Sequence, residues 1–195
     1  MRHGNLLASI DVETTGTDPR IHEVIQVGIV ILGKDFEPTG QTFNYQIKPE
    51  HPERAEKSAS AVHGLNLDDG LESSKVADLL TEWVASLDLN NGRKLIPLAH
   101  NHLFEYGFLT AWLGKSLYGQ LFGYLPRDGM ILALSMNDQA LLEGKPALFE
   151  SVSLPSLCKH FGIVNEKAHD ALADSYAEAK VYKALLCYSS TTPQP

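Results

Sequence analysis

Cysteine is scarce in this chain, with only Cys158 and Cys187 among 195 residues. A framework of several disulfides is thereby excluded. Both cysteines fall in segments of helical pattern and read as buried apolar side chains, which points to a cytoplasmic setting. Long apolar runs are also missing. Val27 to Leu32 is among the longest, far short of the ~20 residues that span a bilayer. Met1 to Asn5 leads straight into a strand-like segment, without the apolar stretch and small-residue cleavage site of a secretory leader. No repeat, low-complexity tract or Pro/Gly-rich linker divides the chain. A single domain over 1–188 is expected, followed by a short tail, 189–195, carrying Pro193 and Pro195. Basic charge is thin as well: 16 Lys and Arg stand against 24 Asp and Glu, for a net charge of −8, and only Arg93 and Lys94 are adjacent. That excludes the basic footprint with which proteins grip long polyanions. A content of 44% hydrophobic and 21% charged residues excludes wholesale disorder.

What is present reads as alternating strands and helices. Leu6 to Glu13 is a buried strand that ends in acidic residues, followed by a turn from Thr14 to Pro19. Glu23 to Leu32 is β-branched and apolar, and Gln41 to Lys48 alternates, so both read as strands. Val76, Leu79, Leu80, Trp83, Val84 and Leu87 recur at the helical period. Lys94 to Ala99 reads as a strand, Leu103 to Leu113 as a helix, and Arg127 to Met130 as a last strand or turn. Asp170 to Leu186 is the clearest long helix. Three early strands followed by alternating helix and strand imply an α/β fold with a mixed sheet.

Three acidic elements stand out. Asp11 and Glu13 lie two apart on a strand, so both project from one face. Adjacent carboxylates repel, and burial helps neither without a compensating cation. A solvated strand end would account for the pair just as well. His169 and Asp174 are five apart, a rotation of roughly 500° on a helix. They converge only if His169 precedes the helix, with Asp170 near its N-cap and Asp174 inside. The third element is Glu105, between Phe104 and Phe108 in the segment from Ala99 to Leu109, where a strand end leads into a helix.

Together these segments resemble the DEDDh (DnaQ-like, RNase T-like) exonucleases. Asp11-Val12-Glu13-Thr14-Thr15-Gly16 resembles the family's first motif. His100-Asn101 with Phe104-Glu105 and Phe108-Leu109 resembles the second, and His169-x-Ala171-Leu172-x-Asp174 the third. Order and spacing match over roughly residues 6–186. Lesser features agree: Val62-His63-Gly64-Leu65, Asp128 to Ala133, and Ser153 to Cys158 followed by His160 to Ile163. One position departs, because the second motif normally carries Asp where this chain has Glu105. Glutamate is one methylene longer and reaches a metal if its backbone sits slightly farther back.

The resemblance implies a ribonuclease H-like fold, a mixed five-stranded sheet with helices on both faces. It also implies a 3′→5′ exonuclease that removes 5′-mononucleotides from single-stranded DNA or RNA, with two Mg²⁺ or Mn²⁺ ions per active site. Asp11 would touch both ions, Glu13 and Asp174 would complete the nucleophile side, and Glu105 would hold the second ion. His169 would be the general base on the attacking water. Backbone amides around Thr14, Thr15 and Gly16 would meet the terminal nucleotide. His63 and Leu65 would pack on the terminal bases and Asn101 would lie near the backbone, though the plainer reading of each is structural. Two divalent cations would halve the net charge and supply the local positive patch that the side chains lack. The partner is then a nucleic-acid 3′ end and not a membrane. A homodimer is open, and a free-standing enzyme is preferred to a polymerase subunit. A non-catalytic nucleic-acid-binding relative and an unrelated α/β domain with solvated carboxylates are the competing readings.

Overall fold

The computed structural model describes residues 5–87, 89 and 92–191, with the side chains of 189–191 outside the description. Six strands form one sheet: β1 (Leu6–Thr14), β2 (Val24–Leu32), β3 (Pro38–Lys48), β4 (Leu71–Glu72), β5 (Leu95–Ala99) and β6 (Arg127–Asp128). Their order across the sheet is β4-β3-β2-β1-β5-β6. The early strands β1, β2 and β3 pair antiparallel as a meander, whereas β5 and β6 join parallel to β1. The expected mixed sheet is therefore present with one strand more than five. The extra strand is the two-residue β4, which pairs through Ile47 and Lys48. Leu71 and Glu72 are both exposed, so no alternation announced them. The segment expected as a strand to Met130 pairs only at Arg127 and Asp128, because Asp128 turns the chain into a helix.

Burial follows residue type. All nine residues of β2 are buried, as an apolar run covered on both faces requires. On one face, Ala8, Ile10 and Val12 pack with Val76, Leu80 and Val84 of α2 (Ser73–Ser86) and with Phe108 and Leu109 of α3 (His102–Leu121). On the other, Leu7, Val30, Leu32 and Leu98 pack with Ala179 and Tyr182 of α6 (Ala171–Thr191). Helices α4 (Gly129–Leu142) and α5 (Leu154–Phe161) close a further cluster against α6. The remaining helix, α1 (Lys57–His63), ends at Gly64, whose φ of 63° provides a left-handed cap. Helix α6 runs to Thr191, into the segment expected as a tail, and residues 192–195 of that tail lie outside the described residues. No helix among the described residues is long and apolar enough to cross a membrane.

Candidate active site

Strand alternation divides β1 cleanly. Its even residues Ala8, Ile10 and Val12 join the core under α2 and α3, and Leu7 faces α6. Ser9, Asp11 and Glu13 share the Leu7 side. Three features bring α6 down onto that surface. Gly28, the partner of Asp11 across the β1–β2 ladder, lies so close to α6 that a Cβ there would sit 2.3 Å from the Ala171 carbonyl carbon. Only glycine permits that approach. The Ser175 hydroxyl donates to Gly28 O at 2.9 Å, and Gln26 clamps the helix start. The Gln26 side-chain oxygen accepts from Ala171 N at 3.1 Å while its amide donates to Asp170 at 3.2 Å.

Asp170 in turn accepts from Ala173 N at 3.0 Å, which is the capping role its position suggested. His169 precedes the helix with a φ of 67°, a left-handed conformation unusual outside glycine and asparagine. That twist lets its N–H donate to Asp174 at 2.9 Å. The Asn165 side-chain amide donates to the other Asp174 oxygen. Asp174, 8% exposed, is thereby oriented from both sides. Donor atoms of Glu13, His169 and Asp174 lie within 4.8 Å of one another, which is close enough to share one cation. His169 itself is exposed at the mouth.

A second group of carboxylates adjoins the first. Burial, then Glu105, Glu13 and Asp174 in that order, raises the Asp11 carboxyl well above its usual range. Burial followed by Asp174 and Asp170 pushes Glu13 up to about 7. Burial also raises Asp174, against the pull of its hydrogen bonds from Asn165 and His169. Glu105 sits in the first turn of α3 at 4% exposure, raised chiefly by burial, and its Oε2 has no hydrogen-bond partner. Oxygen donors gathered without an answering cation match the chemistry of a hard divalent metal. Glu13, His169 and Asp174 fit such an ion, and the other expected ligands, Asp11 and Glu105, adjoin them.

The remaining expected residues surround this centre. Thr15 is fully buried and its N–H already donates to Glu23 O at 2.9 Å, so that amide is committed within the loop. The Thr14 hydroxyl donates to Gly16 O at 2.7 Å and tightens the same turn. A side chain at Gly16 would meet the His22 ring at 2.6 Å. His63 faces His169 electrostatically and accepts from Leu65 N at 2.9 Å, which places α1 and Leu65 beside the mouth. Asn101 adopts a left-handed conformation as the cap residue of α3, with its N–H directed at Asp128. A cleft of about 420 Å³ is lined by Asp11, His169, Asp174 and Glu178 together with Leu154 and Ile163. Its volume is in the range of small-ligand pockets. A smaller cleft of about 270 Å³, lined in part by Arg20, Lys48 and Trp112, includes none of the four candidate ligands.

Sequence reasoning missed Glu178 and the orienting residues Asn165 and Gln26. Glu178 lies four residues after Asp174, one helical turn along the same face, and that spacing was the available signal. Nothing local marks Asn165 or Gln26, because their partners lie 9 and 144 to 145 residues away.

An acid-lined cleft at the carboxyl end of a central strand, on an α/β sheet of this order, defines a nuclease-like class. The model of the exonuclease family that includes ribonuclease T matches residues 9–182, and the chain belongs to that family. Ribonuclease T of Buchnera aphidicola subsp. Baizongia pistaciae is 26% identical over 186 residues, covering 89% of this chain and 80% of that protein. The DNA polymerase III epsilon subunit of Rickettsia conorii is 28% identical over 186 residues, covering 91% of this chain and 72% of its own. The PolC-type polymerase of Thermotoga petrophila is 27% identical over 173 residues. There the match covers 89% of this chain and only 11% of the polymerase. Among solved structures, the zinc-bound complex of E. coli exonuclease I with single-stranded DNA superposes with a TM-score of 0.72 at 18% identity. It covers 97% of this chain and 42% of that one. The nuclease domain of 3′hExo, a DEDDh family member solved with rAMP, gives a TM-score of 0.67 at 19% identity, covering 96% and 94%. The ribonuclease H-like fold and the DEDDh resemblance both stand.

Proposed function

We propose that the chain is a single-domain, metal-dependent 3′→5′ exonuclease. It hydrolyses single-stranded DNA or RNA from the 3′ end and releases 5′-mononucleotides. The observation that carries this reading is the convergence of Glu13, His169 and Asp174 within 4.8 Å, together with Asp11 and with Glu105, whose buried Oε2 has no hydrogen-bond partner. Two Mg²⁺ or Mn²⁺ ions held by Asp11, Glu13, Glu105 and Asp174 would stabilise charge on the phosphoryl oxygens and acidify the attacking water. His169, exposed at the mouth and set before the helix by its left-handed backbone, takes the proton from that water. The water oxygen bonds to phosphorus as the bond to the 3′ oxygen of the preceding nucleotide breaks. That oxygen leaves with the bonding pair, takes a proton from solvent and becomes the new 3′-hydroxyl. Asn165 and the His169 N–H hold Asp174 in place throughout. The turn at Thr14, Thr15 and Gly16, with His63, Leu65 and Asn101 around the mouth, would receive the terminal nucleotide and confine attack to a strand end.

A cytoplasmic setting is part of this reading. A free-standing enzyme is the preferred form, and the likeness to an epsilon subunit supports association with a polymerase as the second reading. End-labelled DNA and RNA oligonucleotides of several lengths, incubated with Mg²⁺ or Mn²⁺ and resolved on gels, test the reading. Ladders shortening from the 3′ end and abolished by EDTA are expected. Internal cuts, or undiminished activity in excess EDTA, would refute it.

A further inference from the structure

Glu178 is a buried acid with no part in the reaction described so far. Its position follows from two registers. On α6 it lies one turn beyond Asp174, on the same face. Its Oε2 accepts from the Ser9 hydroxyl at 3.2 Å, and Ser9 lies two residues before Asp11 on the same face of β1. Its Oε1 accepts from His100 N at 3.1 Å, at the end of β5. Asp11, Asp174 and Glu178 consequently line one cleft, and the Glu178 carboxylate repels both Asp11 and Glu105.

As a clamp between β1 and β5, a neutral glutamine would serve equally, since its oxygen would accept from His100 N and its amide would donate to the Ser9 hydroxyl oxygen. A carboxylate at 2% exposure carries a desolvation cost and a repulsion that the amide would avoid. None of the ion pairs among the described residues includes Asp11, Glu13, Glu105, Asp174 or Glu178. The two hydrogen bonds also leave about half of the carboxylate's roughly four acceptor sites unused. Independently, Glu105 Oε2 is buried beside these groups and accepts nothing. An acid one methylene longer than the family's aspartate, with a further acid next to it, suits a cation seated between them.

We propose that Glu178 is a fifth carboxylate of the centre and helps Asp11 and Glu105 hold the second divalent cation. The proposal rests on the cation reading above. It is tested by calorimetric titration of the full chain with Mn²⁺, comparing wild type with Glu178→Gln and Ser9→Ala. Wild type should bind two ions. Glu178→Gln should weaken the second of them by roughly 10–100-fold, the span for outer groups of a metal site, and raise the melting temperature of the metal-free protein. Ser9→Ala, which frees the Glu178 head, should weaken the same ion by less. A clamp without a cation role predicts unchanged Mn²⁺ affinities for both variants, whatever the melting temperature of Glu178→Gln. Affinities within about twofold of wild type would overturn the proposal while leaving the four-ligand reading intact. Should Glu178→Gln fail to fold, Ser9→Ala decides by the same affinity criterion. A wild-type chain that binds no Mn²⁺ would defeat both.

Discussion

Two carboxylates flank the start of α3, and they are treated in opposite ways. Asp128 has each oxygen answered by backbone: Ile131 N at 3.0 Å and Asn101 N at 3.4 Å on one, His102 N at 2.8 Å on the other. It starts α4 and ties the entrance of α3 to β6. Glu105, close enough for Asp128 to repel it, is more deeply buried and its Oε2 has no donor at all. Protein interiors answer nearly all buried polar atoms. For these two the contrast separates charge that builds the fold from charge left for something the fold does not contain. Asp174 does both, its oxygens held by Asn165 and the His169 N–H as it converges with Glu13 and His169. Asp170, with its bonds from Gln26 and Ala173, belongs with Asp128.

Substitutions can break that contrast, beginning with the largest effect. Asp11→Asn should lower turnover on the order of 10⁴-fold, about 5 kcal/mol of lost transition-state stabilisation. The metal-free protein should melt no lower than wild type, because a buried repulsion is removed. Steady-state kinetics beside thermal melting checks both halves. His169→Ala should cost roughly 10³-fold in kcat while two Mn²⁺ ions still bind. Near-normal turnover in that variant would make His169 structural. Glu105→Asp restores the family's residue on a shorter arm. It should retain measurable activity at roughly 100-fold below wild type, since about 1 Å of misplacement near the chemistry has that effect. A rate equal to wild type would mean that the α3 backbone has not shifted outward to suit glutamate.

Acidity provides a subtler test. Glu13 rises from 4.5 to about 7 on folding. Between those values the folded chain keeps a proton that the unfolded chain has lost, so this group's contribution to stability declines as pH rises through the window. Cations compete with that proton, so their binding strengthens as pH rises through about 7. The melting temperature without metal should fall between about pH 5 and about pH 8, while the increment produced by Mn²⁺ should grow. Parallel melts with and without Mn²⁺ measure the two slopes. The smallest effect on rate should come from Asp128→Asn. An amide keeps one acceptor oxygen and turns its NH2 towards an N–H donor, which costs roughly 1–3 kcal/mol of stability, with turnover within a few-fold of wild type.

How far the sequence reveals all this differs between fold and site. The apolar run of β2, the alternation of β3 and the helical period of α2 carried enough pattern to place five strands and the main helices. The two-residue β4 had none, since Leu71 and Glu72 are exposed and paired only by their backbone. Asp11, Glu13, His169 and Asp174 were legible because their spacing makes sense only with a strand end and a helix start. The place of His169 at or before the helix start was implicit in that spacing, but its left-handed backbone and its bond to Asp174 were not. Gly28 attracted no notice, although its missing side chain is what admits α6 to the sheet. Glu178 hid in an Ala-rich helix, where one acid reads as a solvated face. Contacts between residues more than a hundred positions apart leave no local trace, and the orientation of the centre depends on several of them.

The contrast between answered and unanswered carboxylates is tested most directly by a crystal grown with Mn²⁺ and measured at an anomalous wavelength. The account predicts two peaks within ligand distance of Asp11, Glu13, Glu105 and Asp174 oxygens, and none at Asp128 or Asp170. A centre empty of Mn²⁺ at saturating concentration, with the carboxylates paired to each other through protons, would contradict it.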